Sequence, residues 1–120
     1  MARSTPKPGA PVRGSRTGRP LMAAFDLLGR RWSLRILWEL RDGPLGFRDL
    51  QDRCEGMSSS VLRDRLSELS EAGLVCKSDD GRNQLTQRGY ELGTAVAPLD
   101  AWARRWARSL AARPDGPEPC

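Results

Sequence analysis

The sequence predicts a mostly α-helical chain that carries one small antiparallel β-hairpin. Three observations point there. From Leu21 to Leu69, large apolar residues recur at the spacing of a helical face. At Leu74-Val75-Cys76 that spacing gives way to a short strand-like run, followed by the tight-turn signal Asp79-Asp80-Gly81. From Thr86 the helical spacing resumes through Tyr90, Val96, Leu99, Trp102, Trp106 and Leu110.

Each element has its own start and stop signals. Leu21, Ala24, Phe25 and Leu28 share one helical face, and Gly29 ends that segment. Trp32, Ile36, Leu37 and Leu40 make the next face, which Asp42-Gly43-Pro44 closes; Ser33 or the turn before it is the expected cap. Phe47, Leu50 and Cys54 mark a short third helix stopped by Gly56. Ser58-Ser59-Ser60 offers N-caps for a fourth helix, whose inner face is Leu62, Leu66 and Leu69 with Val61 at its margin. Ala72-Gly73 is a C-cap signature, and the hairpin that follows returns by Leu85. Thr86 caps a long last helix, and Pro98 inside it should kink it or divide it in two.

The ends read differently. Residues 1–20 are rich in Pro, Gly, Ser, Thr and Arg, with Val12 the only large aliphatic, so they are expected to form a disordered basic arm. Residues 113–120, with Pro114, Pro117 and Pro119, read as a flexible tail, which leaves 21–112 as the folded domain. The net charge of +5 lies in the arm: Arg3, Lys7, Arg13, Arg16 and Arg19 stand there without an acid. The other 15 of the 20 basic residues balance the 15 acidic ones. The basic balance therefore suggests a polyanionic partner for the arm, as a tether to DNA, and says nothing of the domain.

Several functions are disfavoured by composition. The chain has no histidine, which removes Ser-His-Asp triads, Cys-His dyads and histidine zinc sites. Cys54, Cys76 and Cys120 have no metal-ligand spacing. They read as reduced thiols, with a redox role for one of them as the alternative. No glycine-rich phosphate loop or nucleophile elbow is present, so neither an enzyme nor a cofactor or metal site is expected. No apolar run approaches the roughly 18 residues of a membrane span, so no membrane partner is expected. No apolar stretch follows the basic N-terminus, so the expected location is cytoplasmic.

The stretch from Phe47 to Thr86 carries the functional reading. A short helix, a turn and a serine-capped helix make a helix-turn-helix, and the hairpin behind it makes a wing. The candidate DNA contacts are Ser58, Ser59, Ser60, Arg63, Asp64, Arg65 and Ser67 on the fourth helix. Short hydroxyls near a helix N-terminus let it approach a groove and donate to phosphates. An arginine reaches a guanine edge or a phosphate, and Asp64 suits a cytosine amine or an arginine to be held in place. Lys77, Arg82 and Asn83 flank the wing tip and are further candidates for phosphate or groove contact, opposed there by Asp79 and Asp80. A capped surface helix with solvated charges has the same local pattern.

Leu21, Phe25 and Leu28 together with Val96, Leu99, Trp102, Trp106 and Leu110 suit a two-fold interface made by N- and C-terminal dimerisation helices. Cover for the first helices within one chain is the other reading. Trp32, Trp38, Trp102 and Trp106 are candidates for lining a small-molecule effector pocket, with core packing as the alternative.

Here a resemblance enters. The pieces LLGRRWSLRILWEL, GPLGFRDL, GMSSSVLRDRLSELSEAGLV and LTQRGYELG, with the step Ala97-Pro98-Leu99, follow in order between Leu27 and Leu99, within a resemblance that covers roughly Arg19 to Trp106. They resemble the HxlR-type, MarR-related family of bacterial regulators. That resemblance implies a winged helix-turn-helix regulator, a homodimer with its fourth helix in the major groove. Repression from a pseudo-palindromic operator is the expected activity. Two departures stand out. Family members often carry Cys-Pro before the first helix, some of them sensing oxidants or electrophiles through that cysteine, where this chain has Arg19-Pro20; thiol sensing is not carried over. The wing is also shorter than is usual in the family. A winged-helix interaction module without specific DNA binding is the alternative function.

Overall fold

The chain folds as helices α1 (Pro20–Leu28), α2 (Ser33–Glu39), α3 (Phe47–Arg53) and α4 (Ser59–Glu71), strands β1 (Val75–Lys77) and β2 (Asn83–Leu85), then α5 (Gln87–Val96) and α6 (Pro98–Ala111). The structure is a computed structural model and describes residues 5–11 and 18–112. The fold class is the expected one, mostly helical with one two-stranded antiparallel sheet.

Caps set most of the boundaries. Pro20 opens α1 at a position where the missing N–H costs nothing. The Ser58 hydroxyl accepts from the Val61 N–H at 3.2 Å, satisfying a donor at the start of α4. Gly73 (φ +82°) ends that helix in the left-handed region. Leu74 N–H then donates to Leu69 O, and Gly73 N–H to Ser70 O, the paired bonds of a Schellman stop. Thr86 caps α5 by accepting from Gly89 N–H at 3.1 Å, and its own hydroxyl donates to Gly73 O at 2.6 Å. One threonine thus pins the start of α5 to the end of α4. Pro98 divides the last helix as its sequence position predicts, with α5 ending at Val96 and α6 starting at the proline.

At the start of α2 the turn before Ser33, and not Ser33 itself, supplies the cap. Its N-cap is Trp32, with φ +79° and no side-chain cap bond, while Ser33 is buried as the first helical residue. Trp32 is the one non-glycine at positive φ among the described residues. The tight turn Gly29–Trp32 needs that backbone, and packing of the indole holds it there.

The wing pairs Val75 with Leu85, Cys76 with Gln84 and Lys77 with Asn83. Leu45, in the loop after α2, forms a bridge to Asn83 with N–H···O bonds of 2.9 and 2.8 Å. This further bridge stitches the wing to the helical body. The core gathers Ile36, Leu40, Leu50, Cys54, Leu62 and Leu69, all with no exposed surface. The inner face of α4 is therefore the centre of the domain, and its outer face is positioned by that packing.

Residues 5–11 differ from the free arm expected. Pro6 is buried, Thr5 donates to Glu71 Oε2 at 2.8 Å, and Lys7 Nζ lies 3.2 Å from Glu71 Oε1. With residues of α1, the end of α4 and α5, the proline lines an apolar groove. The tail expected over 113–120 lies outside the described residues.

Candidate nucleic-acid interface

The helix-turn-helix is built by α3, α4 and the turn between them. Cys54 and Met57 are buried and anchor the turn, and Gly56 (φ +79°) supplies its left-handed step. Gln51 braces the turn from α3, donating through Nε2 to Met57 O at 3.3 Å and to Ser59 Oγ at 3.1 Å. The Ser59 hydroxyl oxygen is thus an acceptor for Gln51.

Ser59, Ser60, Arg63, Asp64 and Ser67 share the exposed face of α4. Ser58 is also exposed, but its oxygen is committed to the helix cap. The Arg63 guanidinium lies 5.7 Å from the Phe47 ring centre, which favours one orientation of a long side chain. Arg48, next to Phe47, and Arg53 are exposed on α3 and add basic groups beside this face that the sequence reading does not include. Their signal is a basic residue at each end of the short first helix.

Two sequence candidates take internal roles instead. Arg65 turns away from the reading face: Nε donates to Arg31 O at 2.8 Å, and the guanidinium pairs with Glu68 at 2.6 Å. The helical repeat puts Arg65 on the same side as Val61 and Glu68, at the margin of the core. Asn83 is buried, with 2% exposure. Its Oδ1 accepts from Lys77 Nζ at 2.8 Å and its Nδ2 donates to Leu45 O at 3.3 Å, so it braces the wing from inside.

The wing tip is largely self-paired. Arg82 Nε donates to Asp80 Oδ2 at 2.8 Å, and the Ser78 hydroxyl donates to the same carboxylate. The Ser78 bond and then the bonds from Arg82 hold the Asp80 carboxyl below its usual range. Lys77 and Arg82 remain exposed, with Asp79 and Asp80 beside them.

The expected pairing residues divide into two sets. Leu21, Phe25, Leu99, Trp102, Trp106 and Leu110 are each about half exposed. Leu28 packs against the core and Val96 is partly covered, so these two contribute less to an outer face. Trp102 and Trp106 stack at 5.4 Å with their planes 21° apart. The four tryptophans do not converge on one pocket. Trp38 lines a cleft of about 510 Å³ with Leu34, Tyr90, Gly93 and Leu99. Trp32 sits with Leu28 and Leu34 in a separate, shallower one, and Trp102 and Trp106 line neither.

The thiols differ as well. Cys54 is in the core, and burial pushes its pKa up, away from the reactive thiolate. Cys76 is half-buried in β1 and accepts a 3.6 Å bond from Gln84. Cys120 lies outside the described residues. No helix among the described residues is long and apolar enough to cross a membrane.

Comparison with known proteins agrees with this geometry. The model of the HxlR-like helix-turn-helix family matches residues 27–111. The HTH-type transcriptional regulator YodB of Bacillus subtilis is 31% identical over 87 residues, which cover 68% of this chain and 78% of YodB. The crystal structure of quinone-bound YodB superposes with a TM-score of 0.66 at 32% identity, covering 71% of this chain and 94% of that one. A structure described as a MarR-family transcriptional regulator of Enterococcus faecalis gives a TM-score of 0.68 at 27% identity, covering 78% of this chain and 90% of that one. With the family match running from α1 to the end of α6, over a winged helix-turn-helix, this chain belongs to the HxlR-like helix-turn-helix family and is a transcriptional regulator of that type.

Proposed function

We propose that this regulator binds duplex DNA as a homodimer, with α4 in the major groove, and represses by occupying a pseudo-palindromic operator. The observation that carries the reading is the outer face of α4. Ser59, Ser60, Arg63, Asp64 and Ser67 are exposed together, beginning at the N-terminus of a helix whose opposite face, Leu62, Leu66 and Leu69, is buried in the core. Serines there suit phosphate, and Arg63 and Asp64 suit base edges. Two such helices in a symmetric pair would lie about 34 Å apart, one turn of the duplex. The cleft beside Trp38 has a size that suits a small-molecule effector.

Arg63→Ala is the direct test, with affinity for the promoter upstream of the gene measured against salt. A base contact should cost about 1–3 kcal/mol and relax preference at one position of each half-site. A phosphate contact should instead lower the log–log salt slope by roughly 0.9 per site. Unchanged affinity and slope would remove Arg63, and with it the α4 reading face, from the interface. The near-neutral charge of residues 21–120 favours the second reading, a protein-interaction module. A module of that kind should show little salt-dependent binding to random duplex DNA.

A further inference from the structure

We infer that Arg30 and Glu68 are positioning residues for DNA reading: a part-buried ion cluster, with Arg30 at its buried centre, fixes the rotation of α4 relative to the end of α1. The inference rests on the proposal that α4 reads DNA. Arg30 stands in the turn between α1 and α2, and its side chain is 3% exposed. On α1 it meets Asp26 at 3.8 Å, and on α4 it donates to Glu68 Oε2. The other oxygen of Glu68 accepts from Arg65, whose Nε donates back across the same junction to Arg31 O. The lacing is therefore reciprocal. The turn sends Arg30 to the helix, and the helix sends Arg65 to the turn.

Such a cluster does something the core does not. Leu62, Leu66 and Leu69 hold α4 against the domain by apolar burial, which is non-directional. A guanidinium gripping a carboxylate has a preferred plane and angle. A buried ion pair is often no more stabilising than apolar residues of the same volume, so stability alone does not account for two arginines and two carboxylates here. Their position does. Arg65 and Glu68 lie on the flank of α4, between its core face and the face bearing Ser60, Arg63, Asp64 and Ser67. A site of this kind needs its contacting groups held to within roughly 10–20°. Two bonds on one flank, three residues apart, resist the rotation that leucine packing tolerates. The far side of α1 carries Leu21 and Phe25, exposed on the face we assign to pairing, so the cluster also joins the pairing helix to the reading helix.

The test compares the full-length wild type with Glu68→Gln and Arg65→Lys. Each is assayed on duplexes the wild type enriches from a random pool and on random duplex. Glu68→Gln keeps the shape and loses the charge. Arg65→Lys keeps the charge and loses the second bond to Arg31 O. Both proteins are used below their thermal midpoints, checked by circular dichroism. The expected result is a fall of about tenfold in the ratio of specific to random affinity, the size of one mismatched base pair, with random affinity within about twofold of wild type. A purely structural role would lower the thermal midpoint and leave that ratio alone. An unchanged ratio in both folded variants overturns the inference and spares the DNA reading. A wild type that enriches no duplex overturns both.

Discussion

Gly89→Ala is expected to destabilise this protein by about 3 kcal/mol, the upper end of what overpacking costs, although alanine is the better helix former. A Cβ on Gly89 would stand 2.3 Å from Leu74 O and 3.2 Å from two side-chain atoms of Leu85. The carbonyl cannot retreat freely, because it accepts from Thr86 N–H at 3.0 Å and lies beside β1. Relief would have to separate α5 from the sheet, and with it the Thr86 bond that ties α5 to the end of α4. Gly93, one helical turn on, makes the opposite case. A Cβ there meets nothing within 4 Å, so Gly93→Ala should gain about 0.5–1 kcal/mol from helix propensity. Urea unfolding of the two variants beside wild type reads both signs at once. A Gly89→Ala protein as stable as wild type would mean that α5 does not press on Leu74 as closely as the distances indicate.

Which features could be read from the sequence follows from how local their causes are. Ser58, Gly73, Thr86 and Pro98 act on their immediate neighbours, and each does in the structure what its position suggests. Arg30 acts on a residue 38 positions away. In the run Gly29-Arg30-Arg31-Trp32 it looks like a solvated charge, and nothing nearby distinguishes it from exposed Arg31. Asn83 is a different case, because its burial was legible. Strand alternation puts it on the same face as Leu85, so a residue two before a core leucine should point inward. Its amide had suggested a groove contact, but residue type was a weaker guide than register. Arg65 is placed by a helical repeat in the same way, beside Val61 and Glu68. Lys7 and Pro6 sit in a segment whose composition predicts disorder, and their docking depends on Glu71 and on the apolar groove beside α1.

Truncating the stacked indoles of α6 should separate the proposed dimer while leaving the winged domain folded. The helix has no buried residue in the single chain, yet Leu99, Trp102, Trp106 and Leu110 line it at helical spacing. So much aromatic surface in water is costly unless a partner covers it. Exposed Leu21 and Phe25 on α1 offer the same kind of surface. Large aromatic side chains near the centre of an interface are the usual hot spots, each worth about 2–4 kcal/mol on truncation. Trp102→Ala and Trp106→Ala should therefore raise the dimer dissociation constant by about thirtyfold or more, seen as a shift to monomer mass in light scattering at micromolar concentration. Thermal stability of the domain itself should change little, because neither ring reaches the core. DNA affinity should fall with the dimer, since a single α4 reads one half-site and loses the second contact that pairing makes effectively intramolecular. Should both variants remain dimeric and bind DNA as wild type does, α6 would not be the pairing helix. The exposed face of α1 would then have to carry the symmetry alone.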